Sequence, residues 1–348
     1  MKITVDGIKE KANTFRASRR VKDDDFIYVS SYLHAVEERG LSSAMLGRMI
    51  DADSAAAAEQ ILKDSYHKDN AEDACDAAVG EIFDLVSQCL DDPALFDFLR
   101  FQYDANNMKT AMKCSARGLS PDGMMFSCGS VPESLVISAV SGADFSALPE
   151  WLSVSAARAN EEFAKTGDPQ EIDLPIDRAC LEAMAAGAAK TGSKFIKNAL
   201  AVKIDTVNIL TSERVRRMKL SAAEGILSEA LASGGNVSRD MLTLAVCSHN
   251  EGENDEDRLA SAVGESYPEI AGMLASGAAL STLERMAENE FLRLVSSGVE
   301  DTLYGIGVPF AYIVGMESCA KNARIILAGK RSGMTEDAIR ERMRISYV

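Results

Sequence analysis

The sequence predicts an all-α protein built from three similar helical units. Its prolines stand at 93, 121, 132, 149, 169, 175, 268 and 309. They leave two long proline-free runs, residues 1–92 and 176–267, in which helices are allowed. Ile82, Val86 and Leu90 have the spacing of one buried helical face, and few segments show the two-residue alternation of strands. A short motif also recurs 101 residues apart, which indicates an internal repeat.

The repeated motif is Asp-x-x-Asn, present as Asp104 with Asn107 and as Asp205 with Asn208. A weaker third copy centres on Asn322. Residues three apart share a helical face, so each pair can contact a neighbouring helix at a unit junction or a separate partner protein. We favour the structural role because a buried acid needs a hydrogen-bonding partner, which a junction between units provides.

A hydroxyl residue follows each motif Asn at the same distance and predicts the start of the next helix. These residues are Ser120, Ser221 and Thr335. Ser and Thr are favoured N-caps, because the side-chain oxygen accepts a backbone N–H that has no other partner. Pro121 suits a first helical position, and Glu224 completes a capping box with Ser221.

These starts divide the chain into three expected units. The boundaries are 1–120, with 1–20 as an N-terminal extension, then 121–220 and 221–348. The last unit ends in a helix that we expect from Thr335 to Tyr347, with Ile339 and Met343 four apart on its buried face. This C-terminal helix is expected to pack back on another unit and close the body.

Charge and cysteine content exclude several classes of protein. The chain of 348 residues has 37 basic and 53 acidic side chains, a net charge of -16, which disfavours binding to nucleic acid. Seven cysteines without a C-x-x-C pair, and a start without an apolar signal core, predict reduced thiols in the cytoplasm. The longest uncharged stretches are shorter than the roughly 20 residues of a membrane-spanning helix, so we expect no span.

The candidate chemical motifs are all incomplete, so we expect no catalytic, cofactor or metal site. The segment 187–194 resembles a phosphate loop but reads Gly-Ser-Lys where that loop needs Gly-Lys-Ser/Thr. The histidines stand alone at 34, 67 and 249, and the acidic run 251–257 lacks the spacing of a calcium loop. Cys128 lies in a loop-like segment, but a nucleophile there also needs a neighbouring base.

Basic residues concentrate near the end of this acidic chain. They are Lys321, Arg324, Lys330, Arg331, Arg340, Arg342 and Arg344. Two interpretations stay open. The charges either complement helix dipoles as ordinary solvated residues, or form a surface for acidic partner segments and ion pairs between units.

The end of the chain resembles a known family. The carrying residues run from Val308 through Pro309 to Met316 and Glu317, then Lys321-Asn322-Ala323-Arg324, Gly329-Lys330, Gly333 and 339–348. This pattern resembles the C subunit of V/A-type ATPases, which is the d subunit of the eukaryotic vacuolar enzyme. The segments around Asp104 and Asp205 resemble that family's other blocks in the same order, so the resemblance covers roughly 26–348. Cys319 departs from it, because the family commonly has an acidic residue there.

The resemblance implies a funnel of three helical units around a pseudo-threefold axis, without catalysis or a cofactor. It implies a rotor subunit that joins the central-stalk subunits D and F to the membrane proteolipid ring and transmits torque. The protein would then be cytoplasmic and reach the membrane only through the ATPase complex. Glu317, Asn322 and Arg324 are candidate site residues by this resemblance, beside the two Asp-x-x-Asn pairs.

Two other functions remain as alternatives. One is an α-helical repeat scaffold for unrelated partners, and the other is a small-molecule enzyme that uses Cys128 or the turn at Gly192.

Overall fold

A computed structural model describes residues 22–36, 40–219, 222–248, 255–300 and 302–345. The prediction of an all-α fold is confirmed, since these ranges contain helices and loops and no strand. The α-helices, numbered here in chain order, are α1 (Ile27–Val36), α2 (Ser43–Asp51), α3 (Ala55–Tyr66), α4 (Ala71–Cys89), α5 (Phe101–Ala116), α6 (Glu133–Gly142), α7 (Glu150–Thr166), α8 (Gln170–Lys190), α9 (Lys194–Met218), α10 (Ala223–Ala230), α11 (Arg239–Cys247), α12 (Asp255–Val263), α13 (Pro268–Ala275), α14 (Leu280–Ser297), α15 (Gly307–Arg331) and α16 (Glu336–Arg342).

Polar caps fix where several of these helices begin. The Asn70 side chain accepts the Asp73 N–H at the start of α4, and Ser193 accepts the Ile196 N–H at the start of α9. Thr335 does the same for α16, where its hydroxyl oxygen accepts the Ala338 N–H at 3.3 Å. Each cap satisfies a backbone donor that the first turn leaves without a partner.

The helix predicted to begin after Ser120 does not form. Its hydroxyl accepts the Asp122 N–H within a turn, residues 119–132 form turns and bends, and α6 begins only at Glu133. The sequence signal was misleading because Ser and Pro favour turns as strongly as helix starts. Ser221 lies outside the described residues, and the helix that follows it, α10, begins after Ala222 without a side-chain cap.

The repeat has an equivalent turn in each copy. Gly118, Lys219 and Gly333 each stand eleven residues after the motif Asn, and each has the left-handed backbone conformation, with φ of 66°, 51° and 68°. In the first and third copies the next residue closes the turn, since Leu119 and Met334 donate to the carbonyls of Cys114 and Gly329. These are Schellman C-caps. Lys219 adopts the same left-handed conformation although it is not a glycine. For a residue with a side chain this conformation costs roughly 1 kcal/mol or more.

Three contacts between helices that are distant in sequence, together with the chain segments that join consecutive helices, form a closed cycle. We call α5, α9 and α15, which carry the motif Asn, the Asn helices, and α4, α8 and α14 the leading helices. α5 packs on α8, α9 packs on α14, and α15 packs on α4, so each Asn helix lies on a leading helix other than the one that precedes it in the chain. The third contact joins α15, near the end of the chain, to α4, near its start. One continuous apolar core runs through all three pairs.

The C-terminal helix α16 packs on α15 and on α2. Ile339 is 1% exposed and lies against Gly329, where a Cβ would collide with its side chain. The helix is shorter than expected and ends at Arg342 instead of Tyr347. Met343 is extended, with φ of -67° and ψ of 154°, because the following backbone bonds to the Asn helix α15.

Candidate functional site

The motif asparagines each hold one loop residue by a pair of hydrogen bonds. The amide of Asn107 donates to the Phe126 carbonyl at 2.8 Å, and its oxygen accepts the Phe126 N–H at 2.7 Å. Asn208 holds Ala232 in the same way, at 2.8 and 2.9 Å. Both amides are buried, so their donor and acceptor are matched against the same backbone residue. We call this arrangement an Asn bracket.

The motif aspartates accept hydrogen bonds from the same loops, at the residues four and five positions after the one that the asparagine holds. Asp104 accepts from the Ser130 hydroxyl at 2.5 Å and from the Val131 N–H at 2.9 Å. Asp205 accepts the N–H groups of Asn236 and Val237, both at 2.9 Å. The Tyr267 hydroxyl adds a bond of 2.7 Å to Asp205, in the role that the serine has in the first copy.

Burial raises the pKa of the Asp104 carboxyl above its ordinary value, while the bonds from Ser130 and Val131 oppose that shift. The side chain of each Asp and Asn in the two motifs is thus hydrogen-bonded to the loop that follows its helix. The Asp-x-x-Asn pairs therefore organise loops within the chain.

Two glycines make this close approach possible. Gly129 and Gly235 each stand three residues after the bracketed residue. A Cβ on Gly129 would lie 2.5 Å from Asp104 Oδ1, and one on Gly235 would lie still closer to Asp205 Oδ1. The correspondence between the two loops is not visible in the sequence, because Phe126 lies 19 residues after Asn107 whereas Ala232 lies 24 residues after Asn208.

The third copy keeps the Asn bracket and replaces the rest. Asn322 donates to the Arg344 carbonyl at 3.0 Å and accepts its N–H at 2.8 Å. The position of the motif Asp is Cys319, which is buried. The next loop residue, Ile345, is held by two other side chains. Its N–H donates to the Asn289 side-chain oxygen at 3.0 Å, and its carbonyl accepts from the Ser318 hydroxyl at 3.2 Å.

Ion pairs join neighbouring helices at related positions of the cycle. The first Asn helix reaches α8 through Lys109 with Asp177 and Lys113 with Asp173, each at 2.5 Å. Arg214, in register with Lys113, reaches Glu284 of α14 at 2.6 Å.

Arg324, in register with Lys109, forms the corresponding ion pairs between α15 and α4. Its guanidinium contacts Glu72 at 2.7 Å and Asp76 at 3.0 Å on α4. Asp76 also accepts the Ser127 N–H at 3.4 Å, so Arg324 is connected to the first bracketed loop. Burial raises the pKa of Asp76, and the charge of Arg324 opposes the shift.

Most of the basic residues near the end of the chain take part in such contacts. Arg331 pairs with Glu59, Arg340 pairs with Asp51, and Lys330 donates to the Ala52 carbonyl, so all three reach the first part of the chain. Lys321 and Arg344 both pair with Glu288 of α14. Arg324, Arg331 and Arg340 therefore form ion pairs between distant parts of the chain, as one of the two interpretations expects, whereas Lys321 and Arg344 pair with the nearby helix α14.

Glu317 belongs to a group of polar side chains that all three Asn helices contribute. Its Oε1 accepts from the Gln102 amide at 2.5 Å and from the Tyr103 hydroxyl at 3.1 Å. Gln102 in turn accepts from Lys203 at 3.4 Å. We call Gln102, Tyr103, Lys203 and Glu317 the polar centre. Burial raises the pKa of Glu317 above its ordinary value, and the charge of Lys203 opposes the shift.

The polar centre was not predicted from the sequence, although the positions of its residues within the repeat indicate it. Gln102, Lys203 and Glu317 each stand five residues before the bracket asparagine of their own helix. Aligning the three copies would have placed them at one position. Because one side chain is an amide, one an ammonium and one a carboxylate, the three copies have no identical residue at this position.

The remaining candidate motifs have structural explanations. Cys128 is 2% exposed, and burial raises the pKa of its thiol, which disfavours the thiolate that a nucleophile needs. Gly187 sits in α8 against Phe98, and Lys190 and Lys194 belong to two helices rather than to a loop after a strand.

The candidate metal ligands are not brought together. Among the residues that the structure describes, no three His, Cys, Asp or Glu side chains are placed to hold a metal ion. His249 and the part of the acidic run up to residue 254 lie outside those residues.

The chain matches a known protein family over most of its length. A family model described as the ATP synthase (C/AC39) subunit matches residues 29–342. The chain belongs to this family. The match extends over all three motif asparagines and the polar centre of this C/AC39 subunit, and it ends two residues before Arg344 of the third bracket. A search of curated proteins finds no match.

The C/AC39 family is a family of subunits of V-type ATP synthases, as the resemblance implied. Within the described part of this C/AC39 subunit, no helix has the length and apolar content that crossing a membrane requires.

Proposed function

We propose that this C/AC39 subunit is a non-catalytic rotor component that couples the central stalk of a V-type ATPase to its membrane proteolipid ring. Its direct partners would be the stalk subunits D and F on one side and the ring on the other. The subunit would lie on the cytoplasmic face and meet the membrane only through the complex. Torque would pass through it without nucleotide or ion binding to this chain.

The observation that supports this proposal most directly is the closed cycle of helix pairs. Three units joined end to end form an open array that bends at each junction, whereas a cycle resists bending at every one. The contact of α15 with α4, with Arg324 between Glu72 and Asp76, provides that closure. A coupling element needs such stiffness. We propose that the cycle surrounds the pseudo-threefold axis of a funnel, with the units bounded near 120 and 220.

The partner experiment is co-purification. The tagged chain is co-expressed with the stalk subunits D and F and with the ring, and we expect it to retain both. Arg324→Ala, which removes the ion pairs with Glu72 and Asp76 at the closing contact, should retain less of one partner, whereas Arg158→Ala, which removes an exposed ion pair with Glu229, should retain as much as the parent. Failure of the parent chain to retain either partner contradicts the proposal and favours a scaffold for unrelated proteins.

The catalytic alternative is tested separately with the isolated chain. Calorimetry with ATP and Mg²⁺ should show no heat of binding, and no phosphate should be released. Micromolar affinity for ATP would refute the non-catalytic role.

A further inference from the structure

The polar centre joins three units at one repeated position. Gln102 comes from α5, Lys203 from α9 and Glu317 from α15, each five residues before its bracket asparagine. Gln102 and Lys203 are 101 residues apart, and Gln102 and Glu317 are 215 apart, yet each pair is within hydrogen-bonding distance. This is a place where side chains from all three Asn helices form one connected network.

We propose that the polar centre is a three-way lock, in which the amide of Gln102 bridges the carboxylate of Glu317 and the ammonium of Lys203 and fixes the units against one another. The mechanical consequence for the rotor rests on the proposed function above. The lock itself is a property of the isolated chain.

The chemistry of an amide explains why Gln102 is the bridge. Its Nε2 donates to Glu317 and to the Leu99 carbonyl, and its Oε1 accepts from Lys203. A carboxylate cannot donate and an ammonium cannot accept, so only a group with both functions can join an acid to a base in this way. The two charges also determine which end of the amide faces which unit.

The surroundings make the lock sensitive to a change of charge. Glu317 is partly buried, and in such surroundings each hydrogen bond to a carboxylate is stronger and each missing one costs more than in water. The Tyr103 hydroxyl is a second donor to the same oxygen. Lys203 lies over the Phe291 ring, with its nitrogen 5.5 Å from the centroid, which adds a cation–π contact to α14.

The lock is also connected to the first bracket. The Tyr103 ring packs edge-on against Phe126, with centroids 5.5 Å apart, and Phe126 is the residue that Asn107 holds. The guanidinium of Arg324, which closes the cycle, lies over the same ring at 5.6 Å. A displacement of Glu317 would therefore be transmitted through Tyr103 to the loop and to the closing ion pair.

The test is a change from Gln102 to Glu in the full-length chain. The new carboxylate keeps the contact with Lys203 but removes the donors to Glu317 and Leu99 and places two acids together. The matched control is Gln60→Glu, because Gln60 also donates to a carboxylate, Asp64, at 2.5 Å, on the exposed surface of α3. We expect Gln102→Glu to lower the urea midpoint several times more than the control does.

A double variant separates the lock from a simple packing defect. Gln102→Glu combined with Glu317→Gln exchanges the acid and the amide between two units. The acid at position 102 then accepts from Lys203 and from the amide at position 317. The double variant should regain most of the midpoint that Gln102→Glu loses, with a remainder due to the Leu99 carbonyl.

The pH dependence gives an independent readout. Lys203, Tyr103, Lys321 and Cys128 are the charged or titratable groups that act on Glu317 or lie near it. Two adjacent carboxyls share one proton, so the deficit of Gln102→Glu should be larger at pH 8 than at pH 5.

Hydrogen exchange locates the effect within the molecule. It should speed up in α5, α9 and α15 of Gln102→Glu and not in α7, if the units have come apart at their centre. The lock is refuted if Gln102→Glu matches the Gln60→Glu control, or if the double variant is no more stable than Gln102→Glu. A refuted lock leaves the co-purification result untouched, so the two proposals fail separately.

Discussion

The first two bracketed loops and the third differ in how many groups hold them. In the first two copies an asparagine, an aspartate and a glycine act together on one loop. The third copy retains the asparagine alone, and Ser318 and Asn289 hold its loop from other directions. The asparagine is therefore the constant part of the device, because only an amide matches both groups of one backbone residue.

The largest expected effect is a difference in stability loss between the first bracket and the second, the two that contain both the aspartate and the asparagine. Asp205→Asn should reduce the free energy of unfolding by about 3 kcal/mol, because the new NH₂ group faces the backbone N–H of Asn236 or Val237, which cannot turn away. Asp104→Asn should cost only about 1 kcal/mol, since the Ser130 hydroxyl can reverse and accept. Urea denaturation measures both, and equal losses would contradict the difference drawn between the two brackets.

The next effect tests the glycine in the bracket. Gly235→Ala should cost about 2 kcal/mol, because the added Cβ overlaps the Asp205 carboxylate and must displace the loop. Gly272→Ala in α13 is the control, since no atom lies within 4 Å of its Cβ position and helix propensity favours alanine. If both variants unfold at the same urea concentration, the close approach is not what keeps a glycine at position 235.

A smaller effect is expected at the helix that precedes the third bracket. Thr335→Ala should cost about 1 kcal/mol, because it removes the cap on the Ala338 N–H at the start of α16. Thr335→Ser retains the hydroxyl and should restore stability. A thermal melt that does not distinguish Ala from Ser at this position would show that the hydroxyl contributes nothing to α16.

The smallest effect has the opposite sign. Lys219→Gly should increase the free energy of unfolding by about 0.5 kcal/mol, since glycine adopts the left-handed conformation without the strain that lysine has there. Gly118→Lys is the reverse change at the equivalent position and should be destabilising. Finding the same sign for both changes would mean that the two turns are not equivalent.

The sequence predicted the helical class and the motif residues because both depend on local patterns. Asn107 and Asn208 could be found by their fixed separation within helices of constant pitch. Their partners could not be found in this way, since Phe126 and Ala232 follow at different distances along irregular loops.

The failure at Ser120 has a different origin. A hydroxyl residue followed by proline is compatible with a turn and with a helix start, and the outcome depends on what the next segment packs against. The cluster of Gln102, Lys203 and Glu317 depends wholly on tertiary structure, which brings unlike residues together.

The contact between Arg324 and Glu72 has a consequence for synthesis on the ribosome. The two residues are 252 positions apart in the chain. At roughly 5 to 20 residues per second, α4 waits for about 10 to 50 seconds of translation before its partner helix is made. During that interval the acidic side chains of Glu72 and Asp76 have no basic partner from α15, and the buried face of α4 is uncovered. The first part of the chain is therefore synthesised with an apolar helix face that stays open until almost the whole protein has been made.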